Sequence, residues 1–147
     1  MKSLFRVVLA ALLIGGAVSA QQSWPDLSGQ SVRVAGVWSG DEQAAFTAVL
    51  NEFATLTGAT VEFFSTGNDI ATVVGTQLEG GSPPDVALLP QPGLLVEFAN
   101  RGALVNIEDS VGDLVDANYA QAWRDLGSVN GDLYGVWFKA ANKSLLW

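Results

Sequence analysis

The sequence predicts an α/β fold with a mostly parallel sheet and helices on both of its faces. Three apolar segments each end in a short polar loop that opens an amphipathic helix: Val32 to Trp38, Val61 to Phe64 and Val86 to Leu89. Repeated strand, loop and helix units form a parallel sheet, and such a sheet binds ligands at the carboxyl ends of its strands. The loops after these three strands are therefore the first candidates for a functional site.

Residues 1–20 are predicted to be a cleavable secretory signal peptide. Lys2 and Arg6 form a basic start, an apolar stretch follows from Val7 to Ile14, and Val18-Ser19-Ala20 is a small-residue cleavage site. The apolar stretch is shorter than the roughly 20 residues that a membrane span requires. The chain has no cysteine, which excludes disulfides and an acylated cysteine at the mature N-terminus. We therefore expect a periplasmic protein without a lipid anchor.

Residues 21–147 form the expected mature chain, which is acidic. Without Lys2 and Arg6 it carries five basic residues against fifteen acidic ones, a formal charge of −10. Such a charge repels nucleic acid and anionic lipid, so we expect neither as a partner. An apolar content of 49% suits one domain with a hydrophobic core.

The first strand and the first helix are the clearest elements. Val32 to Trp38 is almost continuously apolar, which is typical of a strand covered on both faces. The following helix is predicted from Asp41 to about Thr57, with Asp41 as its cap and Gly58 at its end. Its apolar residues recur at helical spacing and should face the core: Phe46, Val49, Leu50 and Phe53.

The remaining elements follow in chain order. Two prolines at 83 and 84 exclude a helix before the third strand, and Asn130-Gly131 predicts a type I′ hairpin turn. The predicted segments are a strand from Val61 to Ser65, a helix from Ile70 to Leu78, a strand from Val86, a helix from Leu94 to Arg101, an extended piece at Leu104 and Val105, two helical pieces between Val111 and Leu126, and further strands from Tyr134 to Phe138 and from Ser144 to Trp147.

Enzymatic chemistry has little support in the sequence. The chain has no histidine and no cysteine, so it offers no imidazole base, no thiolate and no zinc site of the usual kind. The acidic residues from 108 to 116 fit a solvated helix start better than a catalytic pair, because carboxylates are stabilised at a helix N-terminus. We predict no cofactor, no metal site and no catalytic residue.

Ten residues near the predicted strand ends are candidates for ligand binding. Sugars favour an aromatic face for their C–H groups and planar polar side chains for their hydroxyls, and these loops supply both. The candidates are Trp38, Ser39, Asp41, Glu42, Asn68, Asp69, Gln91, Trp137, Lys139 and Asn142.

Structural alternatives stand beside several of these assignments. Trp38 fits the core as well as a ligand contact. Asp41 fits the role of a helix cap better than that of a site residue, although one residue can serve both roles. Gln91 fits equally well a turn that only starts a helix. The segment around Trp137 and Lys139 also fits an edge strand protected by lysines.

Four segments carry a resemblance that extends over essentially all of the mature chain. They are VRVAGVWSGDEQAAF, LTGATVEF, GGSPPDVALLPQPGLLVEFANRGALVNIED and NGDLYGVWFKAANKSLLW. Their order and spacing resemble the extracellular solute-binding proteins of bacterial ABC importers, in the carbohydrate-binding branch that includes the maltose-binding protein. The last segment looks most like alpha-glucoside-binding members.

The resemblance implies a type II periplasmic-binding-protein fold of two α/β lobes, with a sugar bound in the cleft and delivered to membrane permease subunits. Members commonly line the cleft with the regions that correspond to 38–42, 90–92 and 137–142. Members are also much longer, so residues 21–147 are expected to be an incomplete N-terminal lobe, and the full-length protein a monomer. The expected function is solute capture without catalysis. The alternative is a secreted α/β carbohydrate-active hydrolase that acts through carboxylates.

Overall fold

A computed structural model describes residues 24–140 and has a three-stranded parallel sheet at its centre. The strands are β1 (Ser31–Gly36), β2 (Thr60–Ser65) and β3 (Val86–Ala87), in the order β2-β1-β3. Both neighbours of β1 run parallel to it, as repeated strand, loop and helix units require. The predicted α/β class with a parallel sheet is confirmed.

Five helices and a small hairpin complete the described part of the chain. The Asn130-Gly131 turn joins the two strands of the hairpin, and both residues have positive φ (55° and 97°), as a type I′ turn requires. The elements are α1 (Gly40–Thr57), α2 (Ile70–Glu79), α3 (Pro92–Asn100), α4 (Glu108–Asn118), α5 (Gln121–Leu126), β4 (Ser128–Val129) and β5 (Asp132–Leu133), with a 3₁₀ turn at Gly67–Asp69.

Helices cover both faces of the sheet. Successive side chains of a strand point in opposite directions, so each strand contributes to both interfaces. Phe63 of β2 points to α1, where its ring centroid lies 5.7 Å from that of Phe46. The next residue, Phe64, points to the other face and packs against the core formed with α2 and α3. That core is centred on Ala35, Ile70, Val74 and Phe98.

One predicted strand is wrong, and one predicted extended piece joins no sheet. Tyr134 to Phe138 is not a strand, because the N–H groups of Tyr134 and Gly135 both donate to the carbonyl oxygen of Gly127 instead of to a sheet. The edge-strand alternative for 137–143 finds no strand in its described part, 137–140, and the rest of that segment lies outside the described residues. Leu104 and Val105 also pair with no strand, and Val105 is 79% exposed.

The predicted cap of α1 is also wrong. The helix begins at Gly40, so the N-cap position belongs to Ser39, and Asp41 lies in the first turn. No side chain makes a capping hydrogen bond there. Gly40 has φ +61°, a left-handed conformation that glycine adopts without a steric penalty. At the other end Gly58 has φ +75° and its N–H donates to Ala54, which confirms the predicted C-terminal stop.

Three predictions fall on residues outside 24–140: the signal peptide at 1–20, the ligand contact of Asn142 and the strand from Ser144 to Trp147. Within residues 24–140 no helix is both long enough and apolar enough to cross a membrane.

Candidate functional site

The three loops predicted to carry function follow parallel strands, and they therefore meet at one edge of the sheet. Trp38 and Ser39 follow β1, Asn68 and Asp69 form part of the 3₁₀ turn after β2, and Gln91 follows β3. At this edge the N–H of Thr66 donates to the carbonyl of Gly36 at 2.8 Å, which ties the second loop to the end of β1.

The polar candidates at this edge are exposed to solvent. Ser39, Asp69 and Gln91 stand at the N-cap positions of α1, α2 and α3, and none of them makes a side-chain capping hydrogen bond. All six polar candidates of the three loops are exposed: Ser39, Asp41, Glu42, Asn68, Asp69 and Gln91. Solvent therefore reaches all six side chains, of which only that of Glu42 forms an ion pair.

Trp38 lies in a cluster of three aromatic rings. Its centroid is 5.1 Å from that of Phe46 on α1 and 5.9 Å from that of Phe138, and the two phenylalanine rings are 5.5 Å apart. Trp38 is half-buried, whereas Phe138 is 62% exposed. Trp38 therefore packs against its neighbours and is also partly exposed to solvent.

These rings form the wall of an open groove, called here the aromatic groove, with a volume of about 260 Å³. Val49 was predicted to face the core but is 56% exposed on this groove, because α1 covers the sheet with Phe46 instead. The groove is lined by Trp38, Glu42, Ala45, Phe46, Val49, Phe138 and Lys139.

An ion pair closes one side of the aromatic groove. The Lys139 ammonium contacts the Glu42 carboxylate, which is 97 residues away in sequence and lies in the first turn of α1. The same ammonium lies 5.6 Å from the centroid of the Trp38 ring, within the range of a cation–π contact. Three predicted site residues, Trp38, Glu42 and Lys139, are thus brought together.

Trp137 belongs to a different cluster, although it was predicted to act with Lys139. Its ring packs edge to face on Trp123 of α5 at 5.3 Å, and Tyr119 donates a hydrogen bond to its carbonyl at 2.8 Å. The indole Nε1 is buried and has no partner within the described residues. In an extended segment neighbouring side chains point to opposite sides, so Trp137 and Phe138 reach different clusters.

The acidic start of α4 is partly neutralised by an arginine. Arg124 of α5 contacts Glu108 at 2.6 Å and Asp116 at 3.0 Å, and its side chain is only 16% exposed. The hydrogen bond from Arg124 to Glu108 raises the pKa of the Arg124 guanidinium above its usual value. Glu108 and Asp109 lie in the first turn, as predicted, but Glu108 is only partly solvated because Arg124 packs against it. Ion-paired carboxylates of this kind give no support to a catalytic pair.

Within residues 24–140 no cluster of three or more acidic, histidine or cysteine side chains could hold a metal ion.

Sequence reasoning missed four residues that line the aromatic groove: Ala45, Phe46, Val49 and Phe138. Phe46 was assigned to the core from its helical spacing, and Phe138 was passed over for its neighbour Trp137. No local pattern distinguishes them, because their position depends on contacts between distant segments.

The chain matches known proteins over most of its length. The family model for bacterial extracellular solute-binding proteins matches residues 38–147. The chain belongs to this family. The resemblance predicted from the four sequence segments is therefore confirmed.

The chain is also similar to two curated relatives. The chain is 39% identical over 130 residues to the alpha-glucosides-binding periplasmic protein AglE of Rhizobium meliloti, covering 83% of this chain and 28% of the relative. It is 35% identical over 146 residues to the osmoprotective compounds-binding protein GgtB of Synechocystis sp., covering 95% of this chain and 34% of the relative. The chain thus spans about a third of the length of these relatives or less.

A solved structure supports the fold. The maltose-maltodextrin binding protein of Alicyclobacillus acidocaldarius has a TM-score of 0.63 to this chain at 23% identity, with 73% of this chain and 29% of that protein covered. The fold is that of the type II periplasmic binding proteins, as predicted.

Proposed function

We propose that this chain is part of the N-terminal lobe of a periplasmic binding protein that captures a sugar for an ABC importer. An alpha-glucoside is the first candidate, because the relative AglE is named for that ligand class. Residues 1–20 would direct export, a second lobe would close the cleft, and permease subunits in the membrane would receive the sugar. The observation that carries the proposal is the family match over residues 38–147.

The geometry of the aromatic groove supports a sugar as the ligand. Trp38 offers an indole ring for the apolar face of a sugar, and the exposed polar side chains at the same sheet edge suit hydroxyl groups. Trp137 and Asn142 remain proposed contacts next to the groove-lining segment. A groove of about 260 Å³ is smaller than the roughly 300–1,000 Å³ of a typical ligand pocket, which suits one wall of a two-walled cleft.

The proposed protein binds its solute without chemistry and works as a monomer. Both relatives are named as binding proteins, and the paired carboxylates on α4 give the hydrolase alternative no specific support. The acidic composition disfavours nucleic acid as a partner.

Calorimetric titration of the full-length protein with maltose, trehalose and sucrose tests the proposal. We expect stoichiometric binding of at least one alpha-glucoside, with no product formed. Trp38→Ala should weaken that binding by about 2 kcal/mol, or roughly thirtyfold in Kd, because the stacking face is lost. Trp24→Ala is the matched control, because Trp24 is also exposed (47%) but packs on Phe53 farther along α1.

Two results would contradict the proposal. Release of glucose during the titration would favour the hydrolase alternative. Equal affinity of the Trp38→Ala and Trp24→Ala proteins for the sugar would place the ligand elsewhere than the aromatic groove.

A further inference from the structure

We propose that Lys139 is a specificity-determining residue, which excludes organic cations from the aromatic groove by occupying the cation position itself. The inference rests on the proposed function, in which the groove receives a neutral sugar. It starts from one observation: among the described residues, the only cationic group within cation–π distance of the Trp38 ring is the ammonium of Lys139.

The groove has the parts of a site for an organic ammonium ion. Such ions bind over aromatic rings, within about 6 Å of a centroid and with a carboxylate nearby to balance the charge. Here Trp38 supplies the ring at 5.6 Å, Phe46 and Phe138 complete the aromatic wall, and Glu42 supplies the carboxylate. Without Lys139, this wall would offer an ammonium ligand both a ring and a negative charge.

The acidic charge of residues 21–147 increases the need for such an exclusion. The expected mature chain has a formal charge of −10, and an acidic surface raises the local concentration of cations. Lys139 competes with every free cation at the high effective concentration of a tethered group, on the order of millimolar or above. A neutral sugar gains little from an unpaired Glu42 carboxylate, so pairing that carboxylate with Lys139 removes an advantage that only a cation would have.

The ion pair between Lys139 and Glu42 is exposed, so its role in binding can be tested without a large change in stability. The side chains of Lys139 and Glu42 are 53% and 59% exposed, and such surface pairs contribute little to stability. Replacing Lys139 should therefore leave the fold intact and change the occupant of the groove.

Titration of the full-length protein with tetramethylammonium chloride, followed by tryptophan fluorescence at constant ionic strength set with sodium chloride, tests this inference. We expect Lys139→Met and Lys139→Gln to bind the probe at least about tenfold more tightly than the wild type, because the competing ammonium is gone. Lys139→Arg retains the charge and should behave as the wild type. Glu42→Gln added to Lys139→Met should reverse the gain, because the balancing carboxylate is lost.

Equal probe affinity in the wild type and in both uncharged variants would overturn the inference. So would a gain in Lys139→Met that persists unchanged with Glu42→Gln. Maltose titration of the same proteins keeps the two proposals distinguishable. Loss of all sugar binding in the wild type would refute the proposed function, whereas the comparison of variants with the ammonium probe would still decide the role of Lys139.

Discussion

The two faces of the central sheet are covered by helices in different ways. On the face of α2 and α3, the residues Ala35, Ile70 and Phe98 are at most 2% exposed and form a closed core. On the face of α1, the aromatic layer remains open, and Val49 and Phe138 are 56% and 62% exposed. The strands supply apolar side chains to both faces, so the difference arises in what covers them.

The comparison separates stability from recognition. A closed core gains free energy from every buried side chain, and loss of one leaves a cavity. An open aromatic wall gains less from packing but leaves ring faces and rim charges accessible to a ligand. We therefore expect substitutions on the α2 and α3 face to change mainly the free energy of unfolding, and substitutions on the groove to change mainly binding.

The largest expected effect is the loss of Phe98, which is 2% exposed. Phe98→Ala should destabilise the protein by about 3–5 kcal/mol, because it removes a buried ring and leaves a cavity. Phe138→Ala is the matched control and should cost about 1 kcal/mol, since only the contacts with its two aromatic neighbours are lost. Denaturant unfolding of both variants measures the difference. Equal losses would mean that the two faces are equally packed.

A glycine on β1 tests how tightly the inner layer of the open face is packed. A Cβ atom at Gly36 would lie 2.8 Å from the ring of Phe63 and 3.3 Å from Leu88. Gly36→Ala should therefore cost about 1–3 kcal/mol of stability through overpacking. Gly93→Ala is the control, because a Cβ atom there would have no neighbour within 4 Å and the φ of Gly93 is not positive. A tolerated Gly36→Ala would show that the Phe63 ring moves aside freely.

The same substitution, valine to threonine, can be made on a helix at each face of the sheet. Val74 of α2 is 7% exposed and belongs to the closed core, whereas Val49 of α1 lines the groove. Val74→Thr should cost about 1–3 kcal/mol, because a hydroxyl is buried among apolar groups. Val49→Thr should change stability by no more than about 0.5 kcal/mol, as for other surface sites. Thermal unfolding of the pair checks this, and a larger loss at Val49 would contradict the open-face description.

The smallest expected effect concerns the rim of the groove at Asp41. Because Asp41 lies in the first turn of α1 without capping it, its carboxylate acts on stability through the helix dipole alone. Asp41→Asn and Asp41→Ala should therefore both cost about 0.3–1 kcal/mol at low salt, and less at high salt. A loss confined to Asp41→Ala would restore the capping role, since asparagine retains the capping oxygen.

Much of the fold could be predicted because its signals are local. The period of apolar residues located β1, β2 and the first three helices, and the glycine after Thr57 marked the end of α1. The errors fall where local signals do not decide the outcome. Tyr134 to Phe138 has the composition of a strand, but pairing depends on a partner, and its first two N–H groups bind the Gly127 carbonyl instead.

The candidate site was predicted in outline but not in its contacts. The rule for strand ends selected Trp38, Glu42 and Gln91 without any knowledge of which side chains would meet. The partner of Glu42 could not be predicted. As long as the fold is unknown, any of several basic residues could lie next to an exposed carboxylate. The same holds for the choice between Trp137 and Phe138 at the groove.

By itself, the sequence determined the order of strands and helices, the parallel sheet and the edge at which the loops meet, because these follow from periodicity and from the geometry of crossover connections. Only the tertiary structure decided that Lys139 would contact Trp38 and that Trp137 would pack on Trp123. The physical reason is that these contacts join residues 101 and 14 positions apart in the sequence, and such residues meet only when the whole chain packs.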